Sequence, residues 1–586
     1  MGVPATTSLD DAVHKRRSQR RARAARRHLD ARPPVRHGWK WHVPLPTLHR
    51  TTRTTRTTRP DHMSTDTTPA SILRPLAEEL HERRAAARLG GGQARIDRQH
   101  AAGKLTARER IDLLVDAGTF TELGIQAGIH HSVRGLEDKD APADGVITGY
   151  GLVDGRHVAV CAYDFTVMAG SMGTTGEHKV ARLRELALTK RIPFVWLLDS
   201  AGARVQEAVG SLFAGSGHLF REEVVASGVI PQVAALMGPC AAGTAYIPGL
   251  ADFVPMVKGR GSMALAGPHL VRAAVGEDVT QEQLGGSRVH CRTSGVGDLE
   301  VADDEECIAR IKQYLGFFPS HCEEAPPRRA PSDPVDRMDD ELLDVLPPSN
   351  RQPYDMYEII RRVVDDGDWL DLKPQFARSI ITCLARMGGR PVGIVANQPR
   401  QLGGILDNDA ADKAARFVSL CDAFAIPLVF LVDVPGFMVG TKVEAAGIIR
   451  HGAKMLHAVA AATVPKITVV IRKAYGAGYY VMNGRAYEPD LIVAWPTAEI
   501  SVMGAEGAVE IVFRRQVEEA DDPAAKKAEL IAAYRGLIDV YVAAKNAMID
   551  DVIDPRETRP AVIRALEMAA RKRVARPWRR HGVVPV

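Results

Sequence analysis

The chain has 586 residues, of which 45% are hydrophobic and 25% are charged, so it is long enough for at least two packed cores of ordinary composition. No stretch approaches the roughly 18 consecutive apolar residues that a transmembrane helix needs. None of the seven cysteines lies in a C-x-x-C pair, which argues against a disulfide framework or a zinc ribbon and favours a reducing cytoplasm. The net charge of +5 arises in residues 1–62, where 15 Lys and Arg face 4 Asp and Glu; the remainder carries −6, so nucleic acid is not an expected partner.

Residues 1–62 form a basic extension that we expect to be disordered. They contain three Arg pairs and the repeat TTRTTRTTR, and they hold too few apolar residues to bury a core. Met63 begins an ordinary polar segment, MSTDTT, so one interpretation is that translation starts there. The alternatives are a disordered tail and an Arg-rich, acid-poor targeting segment, and no apolar secretory segment is present.

Two helices are predicted ahead of the first sheet. Four apolar residues recur at helical spacing within residues 70–88, and a Gly-Gly-Gly turn follows at 90–92. A second helix is predicted over residues 107–116. Further along the chain, prolines and charges cluster in residues 323–335, and this composition is typical of an interdomain linker.

The most informative feature is an internal repeat. A shift of 234 places residues 145–199 on residues 379–433 without a gap, and 16 of these 55 positions are identical. The chain is therefore predicted to be a duplicated domain that divides at the linker. We expect residues 63–330 to form the first copy and residues 336–586 to form the second.

Each copy repeats the pattern of helix and strand that builds a parallel α/β sheet. The apolar runs IPFVWLLD and IPLVFLVD are short, rich in β-formers and bounded by turn residues, so they are predicted to be buried strands. An amphipathic helix precedes each run, and a second strand follows it. The predicted helices are 177–190 and 411–424, and the predicted strands are 192–199, 229–237, 426–433 and 464–471.

Each second strand runs into a turn of small residues, GPCAAGTAY in the first copy and RKAYGAGYY in the second. Gly243 lies 44 residues after Asp199, and Ala477 lies 44 residues after Asp433, so the two turns match. Such a turn exposes backbone N–H groups at the positive end of a helix dipole, where they can stabilise an enolate oxygen. A glycine turn can also serve only to pack a helix against a strand. Two turns at equivalent positions favour the functional interpretation and imply two enolising partners.

With these motifs the chain resembles the carboxyltransferase (β) subunits of the propionyl-CoA, acetyl-CoA and methylcrotonyl-CoA carboxylases. The resemblance covers about residues 70–586 and is collinear. It is carried by HAAGKLTARERIDLL (100–114), DFTVMAGSMG (164–173), DSAGARVQE (199–207), GPCAAGTAY (238–246), VPGFMVG (434–440), GIIRHGAK (447–454), RKAYGAGYYVM (472–482) and AWPTAEISVMGAEGAVEI (494–511). It implies an α/β fold of two tandem crotonase-like ββα-spiral domains, the N-terminal one on the acyl-CoA side and the C-terminal one on the biotin side.

The resemblance also implies the site residues. The backbone N–H groups of Ala242 and Gly243 would hold the thioester oxygen of an acyl-CoA, and those of Ala477 and Gly478 would hold the ureido oxygen of biotin. The family usually has glycine where this chain has Ala242, and the added methyl could trim the pocket. Tyr480 follows the second turn, where it would either line the acyl pocket or only pack between helices.

Other polar residues have more than one expected role. Arg204 and Arg450 are candidates for contact with CoA phosphates, and the alternative is a salt bridge between domains. Asp199 and Asp433 end strands and are expected to cap a helix or to pin a loop. No side chain need act as the base, since in the family carboxybiotin releases CO2 and the biotin enolate removes the acyl α-proton; His178 is a candidate base by residue type alone. The 19 histidines show no H-E-x-x-H spacing, so no metal is expected.

The partners follow from the same resemblance. The chain has neither an M-K-M biotinylation motif nor a glycine-rich ATP-binding loop, so a biotin carboxylase and biotin carboxyl carrier (α) subunit is expected to bring carboxybiotin. The implied assembly is a homohexamer, a trimer of dimers, with active sites between the N-terminal half of one subunit and the C-terminal half of its partner. No membrane partner is expected. The carboxyl acceptor is the α-carbon of a short or medium acyl-CoA, or the γ-carbon in a methylcrotonyl-type enzyme.

Two alternative functions remain open. A decarboxylase α-subunit of a sodium pump would share the fold and run the reverse reaction. A non-catalytic assembly paralogue is also conceivable, although both small-residue turns are intact. Ser200, directly after Asp199, suggests a ClpP-like serine peptidase because that fold is related, but no G-x-S-x-G surrounds it, which argues against peptidase activity.

Overall fold

Two sheets of eight strands each organise the residues that the computed structural model describes, which are 71–129, 135–208 and 210–585. The first sheet contains β1 (Thr121–Leu123), β2 (Val146–Val153), β3 (Arg156–Tyr163), β4 (Phe194–Ser200), β5 (Gln232–Ala241), β6 (Pro255–Val257), β7 (Ser262–Ala264) and β8 (Leu299–Val301). The second contains β9 (Trp369–Asp371), β10 (Ile380–Met387), β11 (Arg390–Asn397), β12 (Leu428–Val434), β13 (Lys466–Tyr475), β14 (Leu491–Ala494), β15 (Glu499–Ser501) and β16 (Asp551–Val552). The predicted extension 1–62 lies outside the described residues.

The two sheets have the same topology. The strand order is β1-β2-β3-β4-β5-β6-β8 in the first sheet, with β7 paired to β5, and β9-β10-β11-β12-β13-β14-β16 in the second, with β15 paired to β13. In each sheet the first three strands are antiparallel and the rest pair in parallel. The strands β2 to β5 begin 234 residues before β10 to β13. The tandem α/β fold is therefore confirmed, while the boundaries of the two copies stay a prediction.

Helices cover the sheets and connect their parallel strands. In the first half they are α1 (Leu73–Arg88), α2 (Gln93–Ala101), α3 (Ala107–Leu114), α4 (Thr174–Lys190), α5 (Val205–Ala208), α6 (His218–Ala226), α7 (Tyr246–Leu250), α8 (Pro268–Val275), α9 (Gln281–Gly285), α10 (Ser287–Arg292) and α11 (Asp304–Leu315). In the second half they are α12 (Met356–Val363), α13 (Asn408–Ala423), α14 (Thr441–Ala445), α15 (Ile448–Ala461), α16 (Gly476–Val481), α17 (Ala505–Val512), α18 (Arg514–Glu518), α19 (Pro523–Ile538), α20 (Val540–Lys545) and α21 (Thr558–Met568).

Local sequence explains where the main helices begin. Thr106 and Glu109 form a reciprocal capping box at the start of α3, which satisfies two backbone N–H groups. The Asp407 carboxylate accepts the Ala410 N–H at the start of α13. None of the helices in the described ranges is long and apolar enough to cross a membrane.

The largest of the hydrophobic clusters contains buried residues of both halves. A ladder of aromatic rings crosses between them: Phe253 stacks on Tyr314 with ring centroids 4.5 Å apart, and Tyr314 stacks on Phe318 at 4.3 Å. Phe318 then meets Phe424 of the second half edge-on at 5.4 Å. Such pairs contribute about 0.5–1.5 kcal/mol each beyond the area that they bury. The two halves of one chain therefore hold each other in a fixed relation.

The strands that lead to the predicted turns are longer than the sequence suggests. The predicted strand 229–237 is observed as β5, which begins at Gln232 and continues to Ala241. The predicted strand 464–471 is observed as β13, which continues to Tyr475. Pairing with the short strands β7 and β15 extends the ladder into the small residues. Each turn is consequently an abrupt passage from strand to helix.

Candidate active site

The first candidate turn lies where β5 passes into a helix. A short 3-10 helix, Ala242–Ala245, starts at the residue after the strand and continues into α7. Ala242 has a φ of +58°, in the left-handed region, where an alanine is strained by about 1–2 kcal/mol. Thr244 Oγ1 donates to the Ala241 carbonyl at 2.6 Å. The reversal of the chain is thus fixed by the backbone and by one side-chain hydrogen bond.

The N–H groups of this turn are available to a ligand. Ala242 and Gly243 are exposed, and the first N–H groups of a helix have no acceptor within it. No loop carbonyl or side chain of the described residues accepts a hydrogen bond from either group. A Cβ placed on Gly243 would meet only the Phe220 ring, at 3.7 Å, among the described residues. The turn therefore carries two N–H donors that no loop carbonyl of the described residues accepts.

The second candidate turn repeats this geometry between β13 and α16. Gly476 has a φ of +57°, Ala477 is exposed and Gly478 is buried. A Cβ on Gly478 would lie 2.8 Å from Val434 Cγ2, so only glycine fits there without a shift. Outside α16 itself, the described residues offer no acceptor to the N–H groups of these three residues. The second turn also presents unpaired donors.

The repeat refines which residues correspond. The 234-residue shift aligns Ala242 with Gly476 and Gly243 with Ala477, and the first residue of each pair has the same left-handed φ. The predicted second pair, Ala477 and Gly478, is displaced by one residue from this correspondence. Gly476 is thus a candidate that the motif comparison missed, and the offset of the internal repeat would have identified it.

Two buried aspartates lie beside the turns, Asp199 on β4 and Asp433 on β12. The Asp199 carboxylate contacts Lys104 Nζ at 2.6 Å and the Arg110 guanidinium at 3.0 Å. The Asp433 carboxylate contacts the Arg472 guanidinium at 3.0 Å. Both aspartates therefore hold buried ion pairs, a role beyond the helix cap or loop anchor expected from the sequence. Removing one partner of a buried pair typically costs 3–5 kcal/mol, because it leaves an uncompensated charge.

The two copies supply these cations from different places. Arg472 occupies the position that Gly238 has in the first copy, and a Cβ on Gly238 would lie only 1.9 Å from Asp199 Oδ1. In the first copy the Asp199 carboxylate itself fills that space, and its cations, Lys104 and Arg110, come from the segment ahead of the repeat. An ion pair therefore lies beside each turn, and its presence does not indicate which substrate either turn binds.

Arg204 is buried within the first half. Its guanidinium contacts the Asp144 carboxylate at 2.5 Å and the Glu207 carboxylate at 2.8 Å, and it donates to the Ser171 carbonyl at 3.1 Å. These partners lie in the same half, so the arginine does not form the interdomain salt bridge considered above. With its donors directed inwards, Arg204 is better placed to order the loop after β4 than to contact a CoA phosphate.

Arg450 and Tyr480 remain accessible in the second half. Arg450 lies in the first turn of α15, contacts His451 Nε2 at 3.1 Å and has no carboxylate partner among the described residues. Tyr480 is 48% exposed, with its ring centroid 6.1 Å from that of Tyr479 and 6.3 Å from that of Tyr487. Both residues are therefore able to meet a bound molecule.

Two equivalent lysines with lowered pKa values have a structural role. Lys179 and Lys413 are equivalent in the repeat, and burial lowers the pKa of Lys179 to about 8 and that of Lys413 to about 7. Lys179 Nζ donates to the Ala143 and Val146 carbonyls at 2.8 and 2.6 Å. Lys413 Nζ donates to the Ile380 carbonyl at 2.7 Å. Each lysine thus ties a helix to the start of a strand, away from the turns. The described residues contain no group of three or more His, Cys, Asp or Glu that could hold a metal ion.

Comparison with known proteins identifies what this arrangement is similar to. The carboxyl transferase domain family matches residues 98–584. The α subunit of methylmalonyl-CoA decarboxylase from Veillonella parvula is 47% identical over 87% of this chain and 98% of its own length. The propionyl-CoA carboxylase β chain of Roseobacter denitrificans is 44% identical over 88% of this chain and its full length. The crystal structure of the transcarboxylase 12S hexamer, with methylmalonyl-coenzyme A bound, superposes with a TM-score of 0.85 at 45% identity and covers 89% of this chain and 100% of that chain.

Proposed function

We propose, from the premise that this chain belongs to the carboxyl transferase family, that it moves a carboxyl group between biotin and the α-carbon of a short acyl-CoA. The family assignment confirms the predicted carboxyltransferase class and the crotonase-like fold. The observation that carries the proposed chemistry is the pair of equivalent strand-to-helix turns, each with unpaired backbone donors.

On the acyl side, Ala242 and Gly243 would bind the thioester oxygen. Loss of the α-proton places negative charge on that oxygen, and preorganised N–H donors stabilise this charge more than they stabilise the neutral thioester. Removal of one such donor typically lowers kcat by about 10²–10³-fold. The exposure of Ala242 and Gly243, with only the Phe220 ring near the Cβ position of Gly243, supports this role.

On the biotin side, Gly476, Ala477 and Gly478 would bind the ureido oxygen. The fit is supported by the exposure of Ala477 and by the absence of any competing acceptor among the described residues. Carboxybiotin, when bound, supplies both the carboxyl group and the base for the α-proton. The chain's own contribution is to hold the two reacting groups at fixed donors, which accounts for catalysis without a catalytic side chain.

We further propose that biotin arrives on a partner α subunit, since the sequence has no M-K-M motif. A homohexamer built as a trimer of dimers is supported by the hexameric 12S neighbour. In that arrangement residues 63–330 of one subunit would face residues 336–586 of another. The seven free cysteines, six of them buried, favour a cytoplasmic location.

Substrate selection is assigned to residues around the second turn. Tyr480 is proposed to limit the space beside the α-carbon, and Arg450 is proposed to meet CoA phosphates, because both are exposed and Arg450 has no carboxylate partner among the described residues. Arg204 is proposed to act only indirectly, by ordering the loop that follows β4.

A decarboxylase is the second candidate, and the relative from Veillonella parvula favours it. Decarboxylation of methylmalonyl-CoA runs the same transfer in the opposite direction, so the site geometry serves both. A non-catalytic paralogue is disfavoured because both turns keep their unpaired donors.

The function is tested by two assays. The purified chain, given methylmalonyl-CoA and free biotin, is expected to form propionyl-CoA and carboxybiotin. Reconstitution with an ATP-dependent biotin carboxylase and carrier subunit, followed by acetyl-, propionyl- and butyryl-CoA, is expected to give ATP-dependent carboxylation of at least one of them. Transfer in the first assay without carboxylation in the second would favour the decarboxylase, and no transfer in either would refute the proposal.

A further inference from the structure

A tyrosine and a glutamate form a hydrogen bond beside the second turn. Tyr475 is the last residue of β13 and the N-cap residue of α16. The residue is buried, with 7% of its surface exposed. Its hydroxyl donates to Glu499 Oε2 in a short hydrogen bond. Glu499 begins β15, which pairs in parallel with the end of β13. The bond therefore joins the residue that starts the turn to the neighbouring strand.

The chain after β15 closes over the same ring. A Cβ on Gly504 would lie 3.0 Å from Tyr475 Cε2, so a glycine at this position avoids a close contact with the ring. A Cβ on Gly476 would lie 3.1 Å from the Val502 carbonyl. The ring of Tyr475 is thus held between the turn and the segment that follows β15, with little freedom to move.

A lysine completes this polar face. Lys473 lies directly opposite Glu499 in the ladder, and it shares a face with Tyr475 because side chains alternate along a strand. Burial and the Glu499 charge raise the pKa of Tyr475, so its hydroxyl keeps the proton that it donates. A hydrogen bond to a charged acceptor is about twice as strong as one between neutral groups.

The first copy shows that the fold does not require this hydrogen-bonded pair. The equivalent strand end has Pro239 opposite Ser262 and ends at Ala241 in place of the tyrosine. The first turn nevertheless forms with the same left-handed φ at its first residue. The tyrosine–glutamate pair is therefore an addition that is specific to the second turn.

We propose that Tyr475 and Glu499 are positioning residues for the biotin-side turn. Their hydrogen bond fixes the angle at which β13 passes into α16. It thereby directs the N–H groups of Gly476 and Ala477 towards the ureido oxygen. This inference rests on the function proposed for that turn. It deepens that function by naming the side chains that hold the donors in place.

The test uses the transfer from methylmalonyl-CoA to free biotin by the full chain. Tyr475→Phe keeps the ring and removes the hydroxyl, and Glu499→Gln keeps a neutral acceptor. Small misplacements of reacting groups lower rates by up to about 10²-fold, so we expect kcat to fall roughly 10- to 100-fold in Tyr475→Phe and by less in Glu499→Gln. KM for methylmalonyl-CoA and the Tm should stay at the wild-type values. The double variant should be no slower than Tyr475→Phe, because both substitutions act on the same hydrogen bond, which Tyr475→Phe already removes.

Tyr534→Phe is the matched control, since the Tyr534 hydroxyl contacts Ser501 Oγ on the same strand at 3.2 Å without reaching the turn. It should keep wild-type kinetics. Wild-type kcat in Tyr475→Phe, with Ala477→Pro inactive, would overturn the positioning inference alone. A parallel loss of kcat, acyl-CoA affinity and Tm in Tyr475→Phe would also overturn it, because that pattern marks general loosening. Absence of biotin-dependent transfer in the wild type would overturn the proposed function and this inference together.

Discussion

Glu223 on α6 makes the first half of the molecule sensitive to alkaline pH. The residue is 2% exposed, and its Oε2 has no hydrogen-bond partner among the described residues. Burial raises its pKa from 4.5 to about 9, with Arg184 of α4 opposing the rise and Glu177 of α4 adding to it. The 234-residue shift places His457 at the equivalent position of the second copy, and the matching distance from the helix C-terminus places Ala458 there. Neither residue carries a carboxyl group. The fold therefore needs no carboxyl there.

The sign of the effect follows from where the proton is held. Between pH 4.5 and about 9 the folded chain keeps a proton on Glu223 that the unfolded chain has released. Unfolding then releases a proton, so the free energy of unfolding falls as the pH rises through this window, by about 1.4 kcal/mol per pH unit. From pH 5.5 to 8.5 the loss is about 4 kcal/mol. Glutamine has no proton to lose, so Glu223→Gln should abolish this part of the pH dependence.

Urea or thermal denaturation at pH 5.5, 7.0 and 8.5, at one protein concentration, measures the effect. The free energy of unfolding of Glu223→Gln minus that of the wild type should increase by about 4 kcal/mol from the lowest to the highest pH. This increase does not depend on the size of the difference at pH 5.5. Glu222→Gln is the matched control: Glu222 pairs with Arg184 at 2.6 Å and is partly exposed, so its loss should shift stability equally at all three values. Equal pH slopes for the wild type and Glu223→Gln would refute the reasoning.

Three further predictions concern substrate choice and assembly. Tyr480→Ala should shift the ratio of kcat/KM towards butyryl-CoA over acetyl-CoA, since one methylene in such a pocket is worth roughly 1–3 kcal/mol; an unchanged ratio in an assembled enzyme would remove Tyr480 from the selecting residues. Deletion of residues 1–62 should leave the oligomer and its activity intact in size-exclusion and transfer assays, and loss of the oligomer would contradict this. Streptavidin blotting of the purified chain should give no band at its own mass, because the sequence has no M-K-M motif, and a strong band there would defeat the idea.

Much of the fold was predictable from short-range patterns. Apolar runs bounded by turn residues identified the strands β4 and β12, and the internal repeat predicted that the two sheets would share one topology. Strand ends were predicted less well. The ladder continues through the small residues up to Ala241 and Tyr475, because β7 and β15 pair there, and such pairing is not encoded in the segment itself.

The site was predictable where backbone geometry decides it and unpredictable where distant side chains meet. Carboxyltransferase function is confirmed by the family, and the turn motifs located Ala242 and Ala477 correctly at helix starts, although their roles stay predictions. The partners of Asp199 could not be anticipated, since Lys104 and Arg110 lie about 90 residues away in sequence and reach it only through the packing of α3. The apolar stripe predicted the helix α1 but not the environment of that stripe, since Leu73 is 73% and Leu76 56% exposed in the single chain.

The central claim is that two backbone turns perform the chemistry without a basic side chain. Its most direct test is kcat for carboxyl transfer between methylmalonyl-CoA and biotin in Gly243→Pro, Ala477→Pro and His178→Ala, each checked for intact assembly. Proline removes one N–H at a helix position where that group has no internal partner, so the helix itself loses no hydrogen bond. We predict a loss of about 10²–10³-fold in each proline variant and a far smaller loss in His178→Ala, whose side chain is exposed on α4. Equal losses at Gly243 and His178, with assembly intact, would contradict the account.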